Sequence, residues 1–99
     1  MSEVKWLPEA VDDVNRLYEF LNSKDSEAAA NAVGTILKGA RLLRADPRLG
    51  RLMADDEDET ERRELFVSFG AGAYVLRYRL ADAMTVVIIR VWHSRENRN

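Results

Sequence analysis

The chain has 99 residues, 46% of them hydrophobic and 32% charged, and its 15 basic and 17 acidic side chains leave a formal net charge of −2. That length supports one hydrophobic core and is too short for two. The absence of cysteine excludes disulfides and thiol nucleophiles, and it fits a reducing compartment.

The residues from Met1 to Trp6 contain no basic segment followed by an apolar run. No apolar stretch approaches the ~18 residues that cross a bilayer. A soluble cytoplasmic protein with no membrane association is therefore expected. Charge is unevenly placed: Asp55, Asp56, Glu57, Asp58, Glu59 and Glu61 fall in one short run, so the rest of the chain is basic. From Arg62 onward the basic residues are Arg62, Arg63, Arg77, Arg79, Arg90, Arg95 and Arg98, against Glu64, Asp82 and Glu96. A basic surface suits nucleic acid or an acidic partner, although arginine on the solvated face of a strand needs neither.

Val4, Trp6 and Leu7 make a brief extended segment, and Pro8 then presets φ for a first helical turn. From Ala10 to Leu21 the apolar positions Ala10, Val11, Val14, Leu17, Tyr18 and Leu21 recur at spacings of three and four, which predicts an amphipathic helix. Asn22 to Ser26 is a turn in which Asp25 or Ser26 caps a second helix running to about Arg44. Its expected inward face is Ala29, Val33, Ile36, Leu37, Ala40 and Leu43. Gly34 and Gly39 each cost about 1 kcal/mol in a helix interior, a cost the pattern explains if the two helices approach closely as a hairpin. Asp46 to Arg51, with Pro47 and Gly50, reads as a tight connector. The acidic run 55–61 reads as an exposed, mobile loop.

Three apolar runs follow, Leu65 to Phe69, Tyr74 to Leu80 and Met84 to Trp92, rich in β-branched and aromatic residues and separated by Gly, Ala and Asp. They predict an antiparallel meander. Alternation puts Tyr74, Leu76, Tyr78 and Leu80 on one face of the middle strand, with Val75, Arg77 and Arg79 on the other. In the last strand it sets Val87, Ile89 and Val91 against Val86, Ile88, Arg90 and Trp92. The helices cover one face of this sheet, giving an α+β domain over residues 1–99.

Few catalytic templates are present. The chain has no Gly-rich phosphate loop, no His or Cys at metal-ligand spacing and no cofactor motif, and a single His gives Ser68 or Ser94 little support for a Ser-His-Asp triad. The remaining polar candidates are His93, Arg95, Arg90, Arg77, Arg79, Tyr74 and Tyr78. Guanidinium groups bind phosphate and imidazole moves protons, the two requirements of RNA cleavage at a 2′-hydroxyl. Each also has a purely structural reading, as core tyrosine, strand-end histidine or solvated arginine.

The order Trp6-Leu7-Pro8-Glu9-Ala10, Ala28-Ala29, Pro47-Arg48-Leu49-Gly50-Arg51, Tyr74-Val75-Leu76-Arg77-Tyr78 and Ile89-Arg90-Val91-Trp92-His93-Ser94-Arg95 resembles the RelE/ParE toxin superfamily over nearly the whole chain. The resemblance implies a β-α-α-β-β-β fold, with a helical hairpin on an antiparallel sheet. It also implies the toxin of a type II toxin–antitoxin module, held by a cognate antitoxin in a hetero-oligomer. One branch of the superfamily cleaves mRNA on the ribosome. It keeps basic residues before the second strand, where this chain has its acidic run, and an Arg after the strand Tyr, where this chain has Val75. Only Arg95, and more loosely His93, match its functional positions. The ParE branch, whose members act on DNA gyrase without hydrolysis, is the closer likeness. The expected target contacts are then Arg90, Trp92, His93, Arg95, Arg77 and Arg79, and the expected antitoxin surface is Val14, Leu17, Tyr18, Leu21, Val33 and Leu37. The alternatives are the mRNA endoribonuclease, using Arg95 and His93, and a non-toxic binding module of the same fold.

Overall fold

The computed structural model describes residues 2–53 and 61–96. The chain begins with β1 (Glu3–Trp6), then α1 (Pro8–Asn22) and α2 (Ser26–Ala45). Pro8 takes the first turn of α1, where its missing N–H is no loss. Asp25 caps α2, accepting from the backbone N–H of Glu27 at 3.0 Å and of Ala28 at 3.2 Å. The remaining strands are β2 (Arg51–Leu52), β3 (Glu61–Phe69), β4 (Gly72–Asp82) and β5 (Thr85–His93), and the spatial order is β1-β5-β4-β3-β2. The expected meander is present as β3, β4 and β5. Both helices cover one face of this α+β domain.

The sheet is mixed where a wholly antiparallel one was expected, because β1 pairs in parallel with β5, Glu3 opposite Thr85 and Trp6 opposite Ile88. With β4 on one side of β5, its other edge is free to take this short strand, and Val4 and Trp6 then pack against the core. The connector after α2 also holds a strand, since β2 pairs with β3. It is pinned from beneath: the buried Tyr78 hydroxyl donates to the Pro47 carbonyl at 2.7 Å and accepts the Gly50 N–H at 2.9 Å. A Cβ on Gly50 would lie 2.8 Å from the Tyr78 ring, so only glycine allows this approach.

Tyr74, Leu76, Tyr78 and Leu80 are all buried under the helices, as alternation requires. Strict alternation fails in β5. Arg77 faces Arg90 and Tyr78 faces Ile88, so Ile89 is an extra residue in a β-bulge. Beyond it the phase reverses, and Val91 joins Val86 and Ile88 in the core. The inward stripe of α2 is also displaced. It runs through Ala29, Ala32, Ile36, Gly39, Ala40 and Leu43, while Leu37 is 43% exposed and Val33 only half-buried.

The two helical glycines do not serve helix–helix contact. A Cβ on Gly39 would lie 3.0 Å from Val67 Cγ2 and 3.1 Å from Leu76 Cδ2, so this glycine brings α2 down onto the sheet; at Gly34 a Cβ would meet nothing within 4 Å. Glu61, expected in the acidic loop, is instead the first residue of β3 and accepts from Arg63 Nε at 2.6 Å and from Arg48 at 3.2 Å. The Arg63 hydrogen bond is the largest influence on its carboxyl, which titrates below the ordinary value of 4.5. Asp55 to Glu59 lie outside the described residues. Among the described residues, no helix is long and apolar enough to cross a membrane.

Candidate functional site

β5 ends at His93 and the chain turns back on itself through Ser94, Arg95 and Glu96. This turn is held against the start of β4 by a reciprocal pair: the Ser94 N–H donates to the Ala73 carbonyl at 2.7 Å, and the Ala73 N–H donates to Ser94 Oγ at 2.9 Å. Gly72 permits the contact, because a Cβ there would fall 2.6 Å from Ser94 Oγ and 2.8 Å from His93 Cε1. Opposite it, the β3–β4 turn passes through Gly70 at φ +63, a left-handed residue that a two-residue hairpin turn needs.

Both ring nitrogens of His93 are engaged. Nδ1 lies 3.2 Å from the Arg95 backbone N–H, which can only donate, and Nε2 lies 3.1 Å from the Phe69 carbonyl oxygen, which can only accept. These two contacts suit the tautomer with its proton on Nε2. Phe69, Tyr74 and His93 form an aromatic cluster, with the Tyr74 ring 5.0 Å from Phe69 and 5.1 Å, edge to face, from His93. Burial first, and then the nearby Glu96 charge, push the Tyr74 phenol above its ordinary range.

α1 is tied to this end of β5 by ion pairs. The carboxylate of Asp13 is almost fully buried and accepts from Arg90 Nε at 2.7 Å, from a second Arg90 nitrogen at 3.1 Å and from the Val91 N–H at 2.9 Å. Burial alone would raise the Asp13 carboxyl, but the Arg90 and Val91 hydrogen bonds and the charges of Arg90 and Arg16 outweigh it and hold the group below 3.8. One turn on, Arg16 reaches Glu96 at 2.7 Å, and Glu96 accepts the His93 N–H at 2.8 Å. Between α1, the β3–β4 turn and the C-terminal turn lies a groove of about 670 Å³, lined by Leu17, Phe20, Leu21, Phe69, Tyr74 and His93 with Arg16, Arg95 and Glu96 among its polar groups.

The target contacts named from the sequence do not converge. His93 and Arg95 share the groove, and Arg90 is consumed by Asp13. Arg77 and Trp92 stand together elsewhere: the Arg77 guanidinium lies 4.8 Å from the Trp92 ring centroid and is bound to Glu64 at 2.7 Å. Arg79 sits opposite Arg62 on β3 and Val87 on β5. Of the antitoxin surface named from the sequence, Leu17 is buried, Val14 and Leu21 pack partly against the core, Val33 is half-buried, and Tyr18 and Leu37 are exposed. Only Leu17 and Leu21 of these six line the groove. Sequence reasoning missed Asp13, Arg16, Glu96 and Phe20. Asp13 and Arg16 read as the polar side of a helix, and nothing local shows that they reach Arg90 and Glu96, 77 and 80 positions away. Phe20 alone carried a signal, as an aromatic residue off the helix stripe, and it is 61% exposed.

A family model described as the ParE toxin of the type II toxin–antitoxin system parDE matches residues 4–98. The chain belongs to this family. The toxin is 40% identical to Toxin RelE3 of Caulobacter vibrioides over 99 residues, covering 99% of this chain and 100% of that protein. It is 38% identical to Toxin RelE1 of the same organism over 87 residues, 87% of this chain and 86% of that one. A solved structure described as a chromosomal ParDE toxin–antitoxin system from P. aeruginosa superposes with a TM-score of 0.72 at 19% identity, over 94% of this toxin and 96% of that chain. At that identity the superposition speaks for the fold. The toxin is thus the toxic component of a type II module, which implies an antitoxin partner. Among the described residues there is no cluster of three or more His, Cys, Asp or Glu able to hold a metal ion.

Proposed function

We propose that this toxin arrests growth by binding its target rather than by cutting it. The target is DNA gyrase, contacted through the C-terminal turn around Arg95, and a cognate antitoxin neutralises the toxin in a cytoplasmic complex. The observation that carries this reading is the engagement of His93. A general base needs a free lone pair within hydrogen-bond reach of the proton it takes. In His93 the lone pair of Nδ1 receives the Arg95 N–H, and Nε2 spends its proton on the Phe69 carbonyl. The arginines that would bind phosphate beside it are dispersed, Arg90 to Asp13 and Arg77 to Glu64. Arg95 is exposed and makes no ion pair among the described residues, so it can meet a partner without first breaking one.

A second reading has its own support. The relatives at 40% and 38% identity carry the name RelE, which favours ribosome-dependent mRNA cleavage. In that reading Arg95 stabilises the phosphorane charge and His93 swings out of both hydrogen bonds to carry the proton. A DNA supercoiling assay with purified gyrase tests the first reading. The wild-type toxin should inhibit supercoiling, and Arg95→Ala should weaken inhibition by about tenfold, the usual scale for one charged contact. Full gyrase activity at saturating toxin would oppose it.

A further inference from the structure

β3 runs from Glu61 to Phe69, but its outer neighbour β2 is paired only with Arg63 and Glu64. β2 goes no further because Gly50 dips to the helix side of the sheet, where its N–H meets the Tyr78 hydroxyl and its carbonyl accepts from Arg63 at 2.7 Å. From Leu65 to Phe69 the edge of β3 therefore has no neighbouring strand among the described residues. The backbone groups of Ala73, opposite Ser68, are turned toward Ser94 on the far side of β4, and the Met53 N–H donates to the Arg62 carbonyl. Alternate residues of β3, the even-numbered ones, thus direct their backbone groups away from β4. Beyond Glu64 these are Phe66 and Ser68, whose N–H and C=O groups point at the open edge.

Sheet edges are ordinarily blunted by a charge, a proline or a bulge. The segment Leu65-Phe66-Val67-Ser68-Phe69 has no charge and no proline, and its register with β4 is unbroken. Phe66 is 49% exposed on the face away from the helices, and Leu52, opposite Arg63, is 58% exposed beside the same edge. What fits there is another uncharged strand, apolar on both faces, with backbone groups to offer at two alternate residues. The chain itself supplies such a strand.

We propose that the free toxin forms a two-fold dimer in which the β3 edges of two copies pair antiparallel about Val67. In that register Phe66 of each copy exchanges two backbone hydrogen bonds with Ser68 of the other, which uses every backbone group the edge presents. Val67 meets its own copy and Leu65 meets Phe69, so apolar side chains face each other and no like charges are brought together. A shift of one residue would set core-facing against open-facing side chains. A shift of two would bring either the turn at Gly70 or β2 into the path of the incoming strand. The contact is isologous and closes on itself, leaving neither copy with an open β3 edge. It requires neither the antitoxin nor the target.

Sedimentation velocity on the purified toxin without antitoxin, over a range of concentrations, reads the dimer, and the melting temperature checks folding. A reversible monomer–dimer equilibrium is expected. Phe66→Glu, at an exposed position, acts twice across the two-fold axis and should weaken the dimer by about tenfold. Combining it with Ser68→Lys sets a carboxylate opposite an ammonium at both pairs and should return the dimer to within about threefold of wild type. The chain has no cysteine, so Val67→Cys alone can crosslink only to its own copy. A non-hydrogen-bonded antiparallel pair holds its Cα atoms about 4.5 Å apart, within disulfide reach, and oxidation should give a covalent dimer. A monomer at every concentration would leave the edge to some other occupant and overturn the proposal. A dimer indifferent to Phe66→Glu, or one that the double variant fails to restore, would overturn it as well.

Discussion

Asp13 does more for the molecule than its place on a polar helix face implies. It anchors α1 to β5 by accepting from Arg90 and from the Val91 N–H just beyond the bulge. Asp13→Ala leaves that N–H unsatisfied and Arg90 without its partner, and should cost about 2 kcal/mol in denaturant unfolding. The pH dependence follows from a native carboxyl held below 3.8. A depressed native value adds stability that is complete above the unfolded value and disappears as pH falls below 3.8 through the native one. The stability difference between wild type and Asp13→Asn should accordingly be full at neutral pH and shrink in that acid range; a difference that grew on acidification would contradict the assignment. The two helical glycines separate as cleanly. Gly34→Ala meets open space and should stabilise by about 1 kcal/mol through helix propensity. Gly39→Ala, pressed against the Val67 and Leu76 side chains, should lower the melting temperature.

The elements show where local pattern ends and long-range pairing begins. Both helices and the strands of the meander were legible in the sequence, because an amphipathic period and a run of β-branched residues are properties of neighbouring positions. The cap at Asp25 and the buried face of β4 were legible for the same reason. The parallel placement of β1 was not, since four residues carry no mark of the strand they will meet. The bulge at Ile89 was hidden too, because every residue from Val86 to Ile89 is apolar and either phase looked acceptable. At the site, His93 and Arg95 were legible as chemistry-bearing residues, but the ties from Arg16 through Glu96 to His93 join distant parts of the chain. The two-residue β2 was concealed by a connector rich in turn-formers, and its position is secured by Tyr78. Tyr78→Phe removes the partner of the buried Gly50 N–H and of the Pro47 carbonyl, and should destabilise by about 1–3 kcal/mol. Faster hydrogen exchange at Gly50 and Met53, with unchanged exchange in α1, would locate the loss in this connector.

At the scale of the whole molecule, the basic surface that the composition suggested is divided rather than gathered. Arg77 is neutralised by Glu64 and stacked on Trp92, Arg90 is spent on Asp13, and Arg63 pairs with Glu61. Arg95 is left as an available cation beside an aromatic groove, next to a histidine whose two nitrogens are occupied. That division supports the proposal that the toxin acts by binding. The claim is most directly tested by primer extension on mRNA in translating ribosomes, with the wild-type toxin at saturating concentration. No new RNA ends should appear at any codon. Cuts at the codon being decoded, lost in His93→Ala or Arg95→Ala, would contradict it.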